Sequence, residues 1–192
     1  MARLLLVKHA LPEIRPDVPS KRWLLGEQGR AQSLLLAERL RPHHLEIVIT
    51  SEEPKAAETG KIVADVLGLL RRTAPGLHEL DRAGEPYFDH PNDYGAAVKA
   101  FFESPTQKVF GHECADESQR RFVKAVKEAL ASYPEENVVL TAHGIVNTLF
   151  VAAHNDVEPF TFWQAWALGT FAVLSRPDFV LLEAPADHEE VG

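Results

Sequence analysis

The chain alternates short apolar runs with longer segments in which apolar side chains recur every three or four residues. The apolar run over 3–9 predicts a fully buried strand. Further strands are predicted over 47–50, 69–73, 137–142, 170–175 and 179–183. The helical spacing predicts helices over 27–40, 54–67 and 94–102, a helix that ends near 133, and one from about 145. Because strands alternate with helices, we expect an α/β fold: a three-layer αβα sandwich with a mostly parallel sheet.

The length of the chain and the segment 74–111 set the expected domain organisation. A chain of 192 residues suits one domain with a sizeable core, so we predict a single domain over 1–192. Residues 74–111 are rich in proline, glycine, aspartate and histidine, which is typical of irregular structure. We expect this segment to form an excursion that covers the functional site.

The composition is that of a globular protein with an acidic balance. Hydrophobic residues make up 45% of the chain, and 28 Asp and Glu against 20 Lys and Arg give a formal net charge of -8. This charge disfavours general binding to nucleic acid or to an anionic membrane, so an anionic substrate needs a local cationic pocket. The N-terminal apolar run is far shorter than the roughly 20 residues of a membrane span. Because Cys114 is the single cysteine, no intramolecular disulfide can form, which fits a reducing compartment. We expect a cytoplasmic protein.

Two histidines, His9 and His143, each follow an apolar strand. In an open α/β sheet, ligands bind beyond the carboxyl ends of the strands, so two imidazoles in this position are placed to converge on one site. A single histidine at a strand end is more often a hydrogen-bonded structural residue. The repeated placement, beside a lysine in one case and a glycine in the other, favours a chemical role.

Further residues supply charge and backbone donors near such a site. Lys8 precedes the first histidine, and Lys55 falls in the first turn of a predicted helix, where the helix dipole already favours anions. Gly144 lets a backbone N–H approach a bound anion closely. Glu79 lies in a predicted loop, where a carboxyl group with a raised pKa can act as an acid. Each signal alone is weak, because exposed lysines and loop glutamates are common.

Together, the motifs resemble the histidine phosphatase superfamily, which includes cofactor-dependent phosphoglycerate mutases and many phosphatases. The resemblance covers nearly the whole chain. Its six segments follow the order of the family: Val7-Lys8-His9-Ala10, Leu25 to Gln32 with Gly29-x-x-Gln32, Ser51 to Thr59, Leu77-His78-Glu79 with Gly84, Glu113-Cys114 with Arg121, and His143-Gly144. No single motif is decisive, but six in the correct order are specific together.

The resemblance implies a phosphoglycerate-mutase-like fold and a metal-independent phosphatase that hydrolyses a small phosphomonoester through a phosphohistidine intermediate. It implies that His9 attacks phosphorus and that Glu79 protonates the leaving group and then activates water. The phosphoryl oxygens would be held by Lys8, Lys55 and His143. No cofactor is implied, and the expected partner is a small phosphorylated metabolite rather than nucleic acid or a membrane.

The chain departs from the family pattern at two cations. Lys8 and Lys55 stand where the family has arginines, and lysine lacks the planar fork that binds phosphate through two hydrogen bonds. Losing one such contact in the transition state would slow the chemistry about 10- to 100-fold, so activity is expected to be weak. Arg15 lies where the family often has an asparagine that touches the phosphate. It either restores a guanidinium there or is an ordinary exposed arginine.

Other functions were weighed against this hypothesis. The main alternative is a degenerate, non-catalytic phosphate-binding or regulatory module of the same fold, suggested by the two lysines. A mutase is disfavoured because the chain is short for that branch. A zinc helix is disfavoured because His78-Glu79 and His112-Glu113 lack a second histidine four residues after the first. Five aromatic residues either line an apolar pocket or simply pack: Trp23, Tyr87, Phe88, Phe101 and Phe102.

Overall fold

A six-stranded sheet forms the centre of the protein in a computed structural model, which describes residues 2–82, 84 and 87–185. Its strands are β1 (Arg3–Lys8), β2 (Ile47–Thr50), β3 (Leu70–Thr73), β4 (Val138–Ala142), β5 (Phe171–Ser175) and β6 (Leu181–Glu183). They lie in the order β3-β2-β4-β1-β5-β6. Strands β1 to β4 are parallel to one another, whereas β5 pairs antiparallel with β1, and β6 pairs antiparallel with β5. The prediction of a mostly parallel sheet is confirmed.

Helices cover both faces of the sheet. In the described part of the chain they are α1 (Glu27–Leu40), α2 (Pro54–Leu67), α3 (Pro91–Glu103), α4 (Ala115–Leu130), α5 (Gly144–Ala152) and α6 (Pro159–Ala165). Leu5 and Val7 of β1 pack with α1 and α2, whereas Leu4 and Leu6 pack with α4 and α5. Both faces of β1 are therefore buried, which explains why its apolar run shows no alternation.

The predicted boundaries agree closely with the structure, apart from three helices. Helix α4 ends at Leu130 rather than near 133. Helix α3 begins at Pro91 rather than at 94, because proline is well suited to the first turn of a helix. Helix α6 was not predicted. This helix has seven residues, and the Glu158 carboxylate accepts the N–H groups of Phe160 and Thr161 at 3.0 and 2.7 Å. So short a helix shows little periodicity, but its acidic cap and the proline that follows are recognisable start signals.

The segment between β3 and α4 lies against α5 and α6. Its buried side chains Val98, Phe101 and Phe110 pack with Ile145 and Leu149 of α5. This small apolar cluster ties the predicted covering segment to the helix that follows β4. Residues 83, 85 and 86 of the predicted excursion lie outside the described residues. Among the helices that the structure describes, none is both long and apolar enough to cross a membrane.

Candidate active site

The carboxyl ends of β1 and β4 meet because the two strands are parallel neighbours, with Lys8 opposite Ala142. His9 and His143 directly follow these two positions. Their ring centroids lie 5.2 Å apart, with an angle of 65° between the ring planes. The two histidines that the sequence places at strand ends are therefore neighbours at one edge of the sheet, where open α/β folds bind ligands.

A hydrogen bond sets the tautomer of His9. Its Nδ1 lies 2.8 Å from the carbonyl oxygen of Ala10. A carbonyl only accepts, so Nδ1 carries the proton of the neutral ring and Nε2 holds the lone pair. Burial, followed by the nearby His143 and Lys55, lowers the pKa of His9 well below its ordinary value. The imidazole is therefore neutral at neutral pH, with the lone pair of a nucleophile on Nε2.

The loop after β1 is held in place by α1 and α2. Ala10 N–H donates to Thr59 Oγ1 at 3.1 Å, and Leu11 N–H donates to Gln32 Oε1 at 3.0 Å. Gly29 is needed for the same approach, because a Cβ on it would lie 2.0 Å from the carbonyl oxygen of Leu11. The Gly29-x-x-Gln32 motif therefore fixes the backbone that holds the His9 ring.

His143 is fully buried. Its Nε2 lies 2.9 Å from Ser51 Oγ, and its Nδ1 lies 3.9 Å from Glu53 Oε2. Burial, with a smaller effect of Lys55, lowers the pKa of His143 well below its ordinary value. The second imidazole is therefore also neutral at neutral pH.

Lys55 lies in the first turn of α2, as predicted, but its ammonium group is paired with a carboxylate. Its Nζ is 2.6 Å from Glu53 Oε2 and donates to the carbonyl oxygen of Ser20 at 2.8 Å. The two charged side chains are buried, at 6% and 10% exposed. The other Glu53 oxygen accepts the N–H of Glu79 at 2.9 Å. A carboxylate therefore offsets the charge of one of the two predicted phosphate-binding lysines.

The Lys8 side chain extends from the end of β1 towards the segment before β5. Its Nζ donates to the carbonyl oxygen of Trp166 and lies 5.7 Å from the centre of the Trp163 ring. Burial lowers the pKa of Lys8 to about 8, although the charge of Glu79 acts in the opposite direction. Gly144 makes room for this side chain, because a Cβ there would lie 3.1 Å from Lys8 Cε. The charge of Lys8 is therefore sensitive to mildly alkaline pH.

Glu79 is anchored at the start of α5. Its carboxylate accepts the N–H groups of Ile145 and Val146 at 3.0 and 3.2 Å. Burial raises the pKa of Glu79, and the charge of Glu53 adds to the rise, while the two N–H donors and Lys55 oppose it. The sequence predicts that the backbone donors at the start of this helix serve a bound anion. Two of them instead hold a carboxyl group that retains its proton more readily than an ordinary glutamate.

Arg121 and Glu113 brace the segment that carries Glu79. The Arg121 guanidinium binds the Glu113 carboxylate through two hydrogen bonds of 2.8 and 2.6 Å. It also donates to the carbonyl oxygens of Gly76 and His78 at 2.8 and 2.9 Å. The motif Glu113-Cys114 with Arg121 therefore has a positioning role beside the two histidines.

A cleft of about 620 Å³ opens at this edge of the sheet. The predicted site residues that line it are Lys8, His9, Lys55, Glu79 and Gly144. The fully buried His143 is not among the lining residues, and neither is Arg15. Its side chain is 58% exposed and lies 3.4 Å from the Asp17 carboxylate, so the structure does not support the predicted phosphate contact of Arg15.

The five candidate aromatic residues divide into two groups. Trp23, Tyr87 and Phe88 line the cleft. Phe101 is fully buried, and Phe102 packs against the apolar cluster to which Phe101 belongs. Three of the five aromatic residues therefore line a pocket, and the other two serve in packing.

Several residues of the site were missed at the level of sequence. Glu53, at the N-cap of α2, was not predicted as a site residue, and no local pattern signals its pairing with Lys55, because residues two apart on a helix do not face each other. Arg82 lies with its guanidinium carbon 4.9 Å from the centre of the Tyr94 ring, and its Nη2 donates to Ser20 Oγ at 3.2 Å. Trp163 belongs to the missed helix α6.

Solved structures with this fold include several phosphatases. Mycobacterial hydrolase 1 has a TM-score of 0.77 at 22% identity, over 97% of this chain and 99% of that one. A mycobacterial glucosyl-3-phosphoglycerate phosphatase in complex with VO3 has a TM-score of 0.72 at 23% identity, over 96% and 95% of the two chains. A mutant phosphoserine phosphatase from Entamoeba histolytica has a TM-score of 0.72 at 14% identity, over 95% and 96%. At these identities the likeness shows a shared fold.

A comparison with curated proteins finds no significant match. The model of the histidine phosphatase superfamily (branch 1) matches residues 5–175 of the 192. The match spans both histidine motifs and most of the sheet. This chain therefore belongs to the histidine phosphatase superfamily.

Proposed function

We propose that the protein is a phosphatase that hydrolyses a small phosphomonoester through a phosphohistidine on His9, without a metal ion. The observation that carries the proposal is the state of the His9 ring, which is neutral and has its lone pair on Nε2. The same cleft is lined by two lysines and by a carboxyl group whose pKa is raised. Membership of a family that contains phosphatases supports the same function.

In the first step, the Nε2 lone pair of His9 attacks phosphorus, and the bond between phosphorus and the ester oxygen breaks. The departing alkoxide takes the proton of the Glu79 carboxyl group. The phosphorylated ring carries a positive charge, and its Nδ1–H continues to donate to the carbonyl oxygen of Ala10. This hydrogen bond becomes stronger as the charge develops, so it favours the intermediate.

In the second step, water replaces the imidazole. The Glu79 carboxylate takes a proton from the water as its oxygen attacks phosphorus, and the electron pair of the P–N bond returns to Nε2. Lys8 and Lys55 hold the phosphoryl oxygens in both steps and offset their charge. Inorganic phosphate then leaves, with His9 neutral and Glu79 protonated again.

The test is a panel of phosphomonoesters offered to the wild type, to His9→Ala and to a histidine control. We choose His44→Asn as the control because His44 is exposed at the other end of the sheet, before β2, in a left-handed backbone conformation that asparagine tolerates. Hydrolysis by the wild type and the control, together with its loss in His9→Ala, supports the proposal. Equal hydrolysis by all three proteins would exclude His9 as the nucleophile.

A second candidate function is a non-catalytic phosphate-binding module. It is favoured by the pairing of Lys55 with Glu53 at 2.6 Å, which leaves the site with less positive charge than two free lysines provide. In this case the wild type and His9→Ala would both bind inorganic phosphate, and neither would hydrolyse any ester of the panel.

Replacing Glu53 with glutamine should tighten the binding of inorganic phosphate. The substitution removes a negative charge beside Lys55 and keeps an oxygen to accept the Glu79 N–H. Removing one like charge about 5 Å from a bound anion strengthens binding by roughly 1–2 kcal/mol at intermediate effective dielectric, or about 5- to 30-fold. Competitive inhibition by phosphate, or calorimetry where turnover is absent, measures the effect.

The matched control is Glu52→Gln, because Glu52 is the exposed neighbour and its replacement changes the net charge by the same amount. Equal tightening in both variants would reveal a long-range charge effect. Weaker binding in Glu53→Gln would mean that Glu53 serves mainly to position Lys55.

The Lys8 ammonium should give kcat/KM an alkaline limb near pH 8. Because burial lowers the pKa of Lys8 to about 8, the cation is present below this pH and is lost as the pH rises through it. The second ionisation of a phosphate ester, near a pKa of about 6, lies too low to cause this limb. In Lys8→Arg the limb should vanish, because a guanidinium keeps its charge. A pH series of kcat/KM between about pH 6 and about pH 10 is the measurement. A limb that persists in Lys8→Arg would belong to another group.

A further inference from the structure

Beside the charged residues, the cleft has a mainly apolar lining. Large apolar side chains come from the loop after β1, from the excursion and from the segment before β5: Ile14, Val18, Trp23, Tyr87, Phe88 and Leu168. Four prolines also line the cleft, and proline has no backbone N–H to donate: Pro12, Pro16, Pro19 and Pro91. This part of the cleft, called the wall below, can contact an apolar group but has few backbone N–H donors for a hydroxylated one.

Some polar groups of the same wall already have partners within the protein. Among the lining residues that the structure describes there is no Asn, Gln or Thr. The Ser20 carbonyl oxygen accepts a hydrogen bond from Lys55, and Ser20 Oγ accepts one from Arg82. The indole N–H of Trp23 donates to the carbonyl oxygens of Arg15 and Val18 at 3.0 and 2.9 Å. With these groups taken, a sugar-like group finds fewer partners here to replace the water that it loses, which disfavours its binding.

The charges of the wall also disfavour a second anionic group on the substrate. Away from the two lysines, the lining cation is Arg82, and it is accompanied by the carboxylates of Asp17 and Asp89. Such a wall has no net positive charge to attract a second phosphate or a carboxylate. The substrate therefore needs only one anionic group, the phosphoryl group itself.

Two apolar side chains of the wall are exposed to solvent. Ile14 is 52% exposed and Tyr87 is 39% exposed, and both line the cleft. Tyr87 lies 6.2 Å from Trp23 between ring centres. Covering exposed apolar surface with an apolar ligand is favourable, and contiguous patches of this kind often mark binding sites.

We propose that the leaving group of the substrate is an apolar alcohol, aromatic or branched, that lies against Ile14, Trp23 and Tyr87. The proposal rests on the phosphatase function proposed above. A cleft of about 620 Å³ is within the usual range for sites that enclose a small organic molecule. The phosphoryl group lies at the lysines and His9, and the apolar body fills the remainder of the cleft.

The test compares alkyl phosphates whose alcohols need similar help to leave. We choose 3-phenylpropyl phosphate as the apolar substrate and glycerol 1-phosphate as the hydroxylated one. From the apolar area that a phenylpropyl group buries, kcat/KM should be roughly 10- to 100-fold higher for the phenylpropyl ester. An equal or lower kcat/KM for the phenylpropyl ester would overturn the proposal.

Variants locate the preference in the wall. Tyr87→Ala and Ile14→Ala should each reduce the ratio of the two kcat/KM values about 3- to 10-fold. The matched control is Leu35→Ala, which removes an apolar side chain that is 66% exposed on α1 and does not line the cleft. A ratio that falls equally in the control, or that stays unchanged in both wall variants, would place the preference elsewhere and overturn the assignment.

Binding of non-hydrolysable analogues separates this proposal from the proposed activity. The wild type is titrated with 3-phenylpropylphosphonate and with 2,3-dihydroxypropylphosphonate. Tighter binding of the phenylpropyl analogue supports the apolar site even if no ester is hydrolysed, in which case only the phosphatase function fails. Tighter or equal binding of the dihydroxypropyl analogue overturns the apolar site, even if His9-dependent hydrolysis is observed.

Discussion

Replacing His9 with alanine should lower phosphomonoester turnover by on the order of 10⁴- to 10⁶-fold, because the variant lacks the nitrogen that bonds to phosphorus. The neighbouring imidazole cannot replace this ring. The other imidazole, His143, is fully buried, and its Nε2 lies 2.9 Å from Ser51 Oγ. Water attacking phosphorus directly is the remaining route, and the lysines alone stabilise it only partly.

The same role predicts a covalent intermediate. Turnover stopped with denaturant at alkaline pH, without acid, should leave a phosphoryl group on the peptide that contains His9, because a phosphohistidine survives base and is lost in acid. Mass spectrometry of the peptides locates the group. His9→Ala should show no label, and His44→Asn should be labelled like the wild type. Turnover in the wild type with a label on another residue, or with none under rapid quenching, would remove His9 from the role of nucleophile.

The sequence predicts the two histidines well because their positions depend on local patterns. Each follows an apolar run that can only be a buried strand, and parallel neighbours bring the carboxyl ends of their strands together. The adjacency of β1 and β4 itself is not local. No pattern along the chain predicts it, and it is seen in the register of Lys8 with Ala142.

Contacts between distant segments explain what the sequence could not predict. Glu79 receives two N–H groups from α5, across 66 and 67 positions of the chain, and no local pattern reports such a bond. The pairing of Lys55 with Glu53 needs both side chains to be buried, and burial depends on the whole fold. Arg15 was placed by its distance from His9 along the chain, whereas an exposed loop let it pair with Asp17.

Replacing Glu79 with glutamine should have an effect that depends on the leaving group. An alkoxide is a poor leaving group and needs the proton that Glu79 supplies, so alkyl phosphates should react on the order of 10²- to 10⁴-fold more slowly in the variant. An activated aryl phosphate leaves without a proton, so its first step should change by less than about 10-fold. Pre-steady-state release of the aryl alcohol isolates this step from the later attack of water.

The pH dependence provides an independent check of the same role. Burial raises the pKa of Glu79, so its acid form is present below that raised pKa and is lost as the pH rises through it. In the wild type, kcat/KM for alkyl esters should therefore fall with rising pH at this ionisation, and the fall should be absent in Glu79→Gln and for aryl esters. The Lys8 limb near pH 8 should remain for both ester types. Equal losses for alkyl and aryl esters, with an unchanged pH profile, would instead mean that Glu79 acts by anchoring the start of α5 and not as an acid.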